Sequence, residues 1–363
     1  MRLISTRSIK QGMVLGSTVY NSKGRILIKE DIVLTNKMAQ RLEEMGIRYI
    51  YIKDELSQGI EIQEPIPSEL RISSIRTIEE SFLQLDANSL SSNSLIFENN
   101  SKLYKNLVQS ILGEIKDNHD IQTVLSDVVT YDTYIFQHSF NVTLYSLAIG
   151  MELGLSTKQL ESLGIGAILH DVGKMLIPEE VLFKPGRLTE DEFQIIKKHS
   201  EDGYNILRKL HTIDLAVAHC AFQHHERIDG SGYPRGIREE EIHPFAKIIA
   251  VADVFDAVTS NRVYRNAMLP HEALEILYSG AGTLFDTRAV EAFRKSVAIY
   301  PTGVTVQLND NRRGIVSGQN KGLNDRPIIR IISEDNHPVE PYEINLCNQL
   351  DLVITDCLAT ISE

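Results

Sequence analysis

Residues 169–174 read Leu-His-Asp-Val-Gly-Lys, and the segment leading into them decides the fold. Leu163, Ile165, Ile168, Leu169 and Val172 recur at roughly helical spacing. That periodicity predicts a largely buried helix over about residues 158–174, with His170 and Asp171 projecting from it. A titratable pair in such a setting is costly unless its members are paired or bind a metal. The same combination recurs outward from this point. His138 precedes it, and His199, the pair His224–His225 and Asp253 follow, each in an apolar-rich stretch. Any one of these histidines alone fits a satisfied core residue. As a set they imply a shared metal cluster. Mixed imidazole and carboxylate donors suit iron, manganese, zinc or nickel better than magnesium.

The chain has 363 residues, enough for two or three domains. A net charge of −12 argues against wrapping a nucleic-acid polymer, which needs a basic face, but leaves room for a small anionic ligand held by local cations. Cys220, Cys347 and Cys357 are scattered without CxxC spacing, so neither a disulfide framework nor a zinc ribbon is indicated. The longest apolar runs, near 143–151 and 248–254, are too short to span a bilayer, and the first residues lack a signal-peptide core. A cytoplasmic protein without membrane insertion is expected.

Texture divides the chain into four parts. Residues 1–55 read as a small α/β module: an alternating stretch from Gly12, a turn over 21–24, a returning strand from Arg25, a helix capped by Thr35 and stopped at Gly46, then a β-rich run over 47–52. Residues 56–120 read as a polar, proline-bearing linker and two amphipathic lead-in helices, a face suited to a homodimer. The His119–Asp120 dipeptide sits in a polar stretch and reads as a solvated helix start. Residues 121–300 are helix after helix. Thr189 and Glu192 form a capping-box pattern ahead of the helix that bears His199. A Gly-rich loop, Asp229-Gly-Ser-Gly-Tyr-Pro234, follows the histidine pair, and an apolar helix over 246–259 carries Asp253 and Asp256. Residues 301–363 change to short β-rich runs over 304–308, 314–317, 328–332 and 352–355, a small C-terminal β subdomain. His211, His219, His243, His271 and His337 lack matching motifs and read as ordinary histidines.

HDVGK at 170–174, HHERIDGSGYP at 224–234 and ADVFDAVTSNRVYR at 252–265 resemble the three signature blocks of the HD-GYP family, within the HD metallophosphohydrolase superfamily. The resemblance covers roughly residues 121–300. It implies a mainly α chain: an HD-type helical bundle core flanked by the small N-terminal α/β module and the C-terminal β subdomain. It also implies a division of ligands, with His138, His170 and Asp253 on one metal, His199, His224 and His225 on the other, and Asp171 bridging. Two such metals sit about 3.5–4 Å apart and clamp an in-line phosphoryl displacement.

The activity implied is metal-dependent hydrolysis of cyclic di-GMP to the linear pGpG, with a second cleavage to GMP open, through a metal-bridging hydroxide. Asp171 and Lys174 are the expected catalytic residues. Lys174 lies three residues after Asp171 on the same helix face and can reach a non-bridging phosphate oxygen. The family places phosphate-binding basic residues at Arg262 and Arg265, and its GYP tyrosine is Tyr233, available to stack on a base or orient substrate. Asp256, one turn past Asp253, reads as an orienting partner of the ligands. Some members bind a third metal through a glutamate one turn before the first histidine. Here that position is Tyr134, with Asp132 further back, which favours two divalent ions, iron or manganese before zinc or nickel. Two other readings stay open: a phosphohydrolase of another cyclic dinucleotide, and a regulator that binds such a nucleotide with negligible turnover.

Overall fold

A computed structural model describes the chain except residues 22–24, 48, 63–65, 86–89, 118–120, 123–133, 261–267, 269, 321 and 358–363, and except the side chains of 90–94, 117, 121, 122 and 134. Arg262, Arg265, Asp132, the His119–Asp120 pair and the side chain of Tyr134 lie outside the described residues.

The N-terminal segment forms β1 (Arg2–Ser5), β2 (Val14–Leu15), the hairpin β3 (Val19–Tyr20) and β4 (Ile26–Ile28), α1 (Asn36–Glu44) and β5 (Tyr49–Lys53). Strands β1, β5 and β2 make an antiparallel sheet in that order. Helix α1 starts where the Thr35 hydroxyl accepts from the Met38 N–H, and ends at Gly46, whose φ of +79° suits glycine. Ile4, Leu15, Leu34, Leu42, Ile47, Ile50 and Ile52 close the small core.

The apolar faces of residues 68–117 fold into α2 (Ser68–Phe82) and α3 (Leu90–Asp117). The two helices meet through Phe82 and Phe97, ring centroids 6.2 Å apart, and Phe82 also reaches Phe136 at 5.9 Å. Residues expected as linker and lead-in helices thus contribute to the helical unit, which gathers Ile66–Asn118 and Asp132–Ser296. A short β6 (Ile121–Gln122) follows. Then come α4 (Tyr134–Glu152), α5 (Thr157–Leu169), α6 (Glu179–Leu182), α7 (Glu190–Leu207), α8 (Leu215–Gln223), α9 (Pro244–Thr259), α10 (Pro270–Gly280) and α11 (Thr287–Ser296). Capping boxes start α5, with Ser156 and Gln159, and α7, with Thr189 and Glu192. No helix among the described residues is long and apolar enough to cross a membrane.

After β7 (Val297–Ala298), which pairs parallel with β6, the chain builds β8 (Thr305–Leu308), β9 (Arg313–Gly318), β10 (Ile328–Glu334), β11 (His337–Asn345) and β12 (Ile354–Cys357). These last five form an antiparallel sheet in the order β11-β10-β9-β8-β12, over Val306, Ile315, Val316, Ile329 and Ile331. By contacts this segment groups with residues 1–65 as a second unit.

Helix α5 departs from the sequence expectation where it matters most. It ends at Leu169, not at Lys174. His170 caps it, and Asp171 opens a 3-10 turn over Val172–Leu176. Gly173 lies within that turn, and a Cβ there would lie 2.0 Å from the His199 carbonyl oxygen and 2.7 Å from the Gly203 nitrogen. Helix α7 passes directly over the turn, and only glycine admits it.

Candidate metal centre

Five segments deliver the seven expected ligands to one place. His138 comes from α4, His170 and Asp171 from the end of α5, and His199 from α7. His224 caps α8 with His225 beside it, and Asp253 lies on α9. All are buried except His225, which is half-buried. One donor atom from each of Asp171, His199, His224 and His225 falls within 4.8 Å of the others, and so do those of His138, His170 and Asp171. Asp171 belongs to both sets. Asp253 spans them from the other side: Oδ1 lies 3.1 Å from His138 Nε2 and Oδ2 lies 3.7 Å from His225 Nδ1.

The rings are fixed by bonds on their far sides. His170 Nδ1 lies 2.7 Å from the Ala167 carbonyl, His199 Nδ1 2.7 Å from that of Ile196, and His224 Nδ1 3.0 Å from those of both Cys220 and Ala221. A carbonyl only accepts, so each Nδ1 carries the proton and each Nε2 presents a lone pair to the centre. His138 is set by a side chain instead. Its Nδ1 is 2.7 Å from Asp256 Oδ2, while the other Asp256 oxygen accepts from the Asn141 amide at 2.8 Å.

That tautomer pattern brings acceptors face to face. His199 Nε2 and His224 Nε2 stand 3.3 Å apart, and Asp171 Oδ1 lies 3.4 and 3.7 Å from them. Neither Asp171 Oδ1 nor His170 Nε2 has a hydrogen-bond partner among the described residues. The Ser200 hydroxyl, 3.3 Å from His199 Nε2, reaches one of these acceptors, and buried acceptors left without a donor are expensive. A divalent cation removes the conflict, so the donor set fits one, and this His/Asp cluster can hold divalent metal ions.

The electrostatics agree. Burial, only partly offset by Asp171, pushes His199 down to about 4. Burial and the neighbouring imidazoles hold His224 and His225 well below the usual histidine range, so all three are neutral ligands at pH 7. Burial alone would raise Asp171, but Lys174, His170 and His199 hold it well below the usual carboxylate range. Asp253 stays low against the same burial because of His138 and His225. His138 is the exception: burial opposes its charge, yet Asp253 and Asp256 raise it to about 9.

Lys174 places its ammonium 2.5 Å from Asp171 Oδ2. Tyr233 stacks on His225, centroids 4.6 Å apart at 28°. Its loop packs so tightly that a Cβ on Gly232 would come within 2.4 Å of the Arg227 nitrogen. Glu226, buried beneath, accepts from the backbone N–H groups of Arg235 (2.8 Å) and Ile237 (3.2 Å) and so ties the loop down. Sequence reasoning passed over Glu226, although a carboxylate directly after two ligands and before a Gly-rich loop was the available signal.

A family model described as the HD domain matches residues 99–289. The chain belongs to the HD domain family. Over 213 residues it is 36% identical to the cyclic di-GMP phosphodiesterase PA4108 of Pseudomonas aeruginosa, covering 59% of this chain and 51% of that protein. It is 46% identical over 151 residues to the cyclic di-GMP phosphodiesterase response regulator RpfG of Xanthomonas campestris, covering 41% and 40%. It is also 38% identical over 164 residues to the 3'3'-cGAMP-specific phosphodiesterase 1 of Vibrio cholerae, covering 45% and 38%. The chain therefore spans about half the length or less of these curated relatives.

Proposed function

We propose that this HD domain protein is a metal-dependent phosphodiesterase that hydrolyses cyclic di-GMP to pGpG, with slower onward cleavage to GMP. The observation that carries the reading is Asp171, shared by two histidine groups whose lone pairs converge on unpartnered acceptors. His138, His170 and Asp253 would hold one ion and His199, His224 and His225 the other, with Asp171 available to both. When bound, two divalent ions, iron or manganese first, supply an activated water and neutralise charge developing on the phosphate.

The chain's own groups do the rest. Neutral His199, His224 and His225 offer lone pairs without first losing a proton at pH 7. Asp256 keeps the His138 Nδ1 proton and turns Nε2 inward. Lys174, beside Asp171 at the edge of the cluster, neutralises a non-bridging phosphate oxygen, with Arg262 and Arg265 as further cationic contacts. Tyr233 holds the His225 ring and orients the substrate at the rim. Water adds to one phosphorus, the bond from phosphorus to the 3′ oxygen breaks, and that oxygen takes a proton, leaving a 5′-phosphate and a 3′-hydroxyl.

Elemental analysis of anaerobically purified protein, coupled to chromatography of the products from cyclic di-GMP, tests this. Two metals per chain with pGpG accumulating is the expected result. Bound metal with tight nucleotide binding but no turnover would overturn it in favour of a regulator. The similarity to a 3'3'-cGAMP-specific relative supports a second reading, hydrolysis of the mixed dinucleotide. A panel of cyclic dinucleotides ranks the two.

A further inference from the structure

Phe193 and Lys197 stand four residues apart on α7 and so share one face of it. The Lys197 ammonium lies 4.6 Å from the Phe193 ring centroid and 5.5 Å from that of Tyr233. The Phe193 and Tyr233 rings meet edge to face, centroids 6.3 Å apart at 78°. With Tyr233 stacked on His225, a row of rings runs outward from the metal cluster to Phe193. One face of Tyr233 is thus already taken by an imidazole. Phe193 is 38% exposed, and what lies over its ring is the Lys197 ammonium, a group on a flexible stem.

A single exposed aromatic is ordinary. The neighbouring cation makes this one different. Lys184 on the approach to α7 is held by Glu192, with both carboxylate oxygens 2.7 Å from its ammonium. Lys197 forms no ion pair or hydrogen bond among the described residues, and its contacts are the two rings. An aromatic face with an adjacent donor-only group is complementary to a nucleobase whose edge carries only acceptors. Guanine offers O6 and N7, both acceptors. Adenine offers N7 beside an amino donor, which an ammonium repels.

We propose that Phe193 and Lys197 form a guanine subsite, in which one base of the cyclic dinucleotide takes the place of the Lys197 ammonium over the phenyl ring and the displaced Nζ donates to the base edge at O6 and N7. The subsite rests on the phosphodiesterase reading and adds base selection to it. The metal cluster acts on the phosphate, which is common to every cyclic dinucleotide. Discrimination among them falls to residues such as these.

Steady-state kinetics of the full chain, metal-loaded, test it with cyclic di-GMP as substrate and cyclic di-AMP as competing inhibitor. Phe193→Ala is expected to raise both the KM for cyclic di-GMP and the inhibition constant of cyclic di-AMP about tenfold, as loss of one stacking contact does, with kcat and metal content unchanged. Lys197→Met is expected to raise the KM for cyclic di-GMP about tenfold while moving the cyclic di-AMP constant less than about twofold. Lys198→Met, its exposed neighbour, serves as the control and changes neither. An unaltered KM in Phe193→Ala, or equal effects of Lys197→Met on both nucleotides, overturns the subsite alone. A wild-type chain that binds metal but hydrolyses no cyclic dinucleotide overturns the phosphodiesterase reading, and the subsite with it.

Discussion

Arg326, half-buried in the unit that carries the five-stranded sheet, and His170, fully buried in the helical unit, each gather polar atoms around them, and the chain treats them differently. Arg326 donates from Nε to the Leu346 carbonyl at 3.0 Å and from Nη2 to those of Gln349 at 3.0 Å and Leu352 at 2.9 Å. Its guanidinium cross-links the turn before β12 entirely through main-chain acceptors. Around His170 the chain stops short: His170 Nε2 and Asp171 Oδ1 are buried without a hydrogen-bond partner among the described residues, and two imidazole acceptors face each other. The first cluster is closed by the protein itself. The second has acceptors in surplus, which is the condition for holding a cation. The balance of donors and acceptors separates the two: the half-buried Arg326 is matched by main-chain acceptors, and the fully buried His170 cluster is not.

The comparison breaks hardest at Asp171. Asp171→Ala is expected to remove both metals and all measurable hydrolysis while leaving the helical circular dichroism intact. Full metal occupancy in that variant would show that Asp171 is not the bridge. Asp256→Ala removes no ligand, only the group that orients His138, and is expected to weaken metal affinity about 10–100-fold. Titration with metal after chelation measures it, and an unchanged affinity would mean that His138 is oriented by its packing alone. On the structural side, Arg326→Met strands three carbonyls and is expected to cost about 2 kcal/mol of stability in denaturant unfolding, with metal content untouched. Loss of metal there would deny the separation between the two clusters.

The smallest expected effect is on pH. In metal-free protein, His199 titrates at about 4 when folded, against 6.5 in the unfolded chain. The unfolded state therefore binds more protons between those values, and stability falls as pH drops through that window. His224 and His225, also depressed by burial, act in the same direction. His138 has the opposite sign. Raised to about 9, it contributes fully below pH 6.5, and that contribution is lost as pH rises toward 9. The melting temperature of chelated protein should thus peak near neutrality and decline on both sides. A flat profile would contradict the charge pattern described for the cluster.

Much of this was legible in the sequence because most of the candidate ligands sit on or at the end of apolar helices, where a histidine or carboxylate stands out against its neighbours. The strands β8, β9, β10 and β12 were legible from their β-branched runs. The structure adds β11, which reads poorly because it is a largely exposed edge strand with Pro338 and Pro341 in it and no apolar alternation. It also adds β1, whose four buried residues include Arg2, paired with Asp54, a charge that hides the strand. The break after Leu169 escaped periodicity, which carries no record of the passage of α7 over Gly173, a contact distant in sequence. Phe193 and Lys197 escaped for a simpler reason. Just after a capping box they look like any exposed first turns, and only the folded positions of Tyr233 and His225 give them a context.

The far-side bonds of the histidines have one further consequence. His170, His199 and His224 are aimed by carbonyls of their own backbone segments, and a carbonyl is present whatever side chain its residue carries. Ala167, Ile196 and Cys220 can therefore drift over generations, within the limits of packing, without turning these rings. His138 has no such insurance. Its Nδ1 meets a side-chain carboxylate 118 positions away in the chain, so mutational tolerance around the centre is lopsided, and Asp256 is less free to change than Ala167 or Ile196.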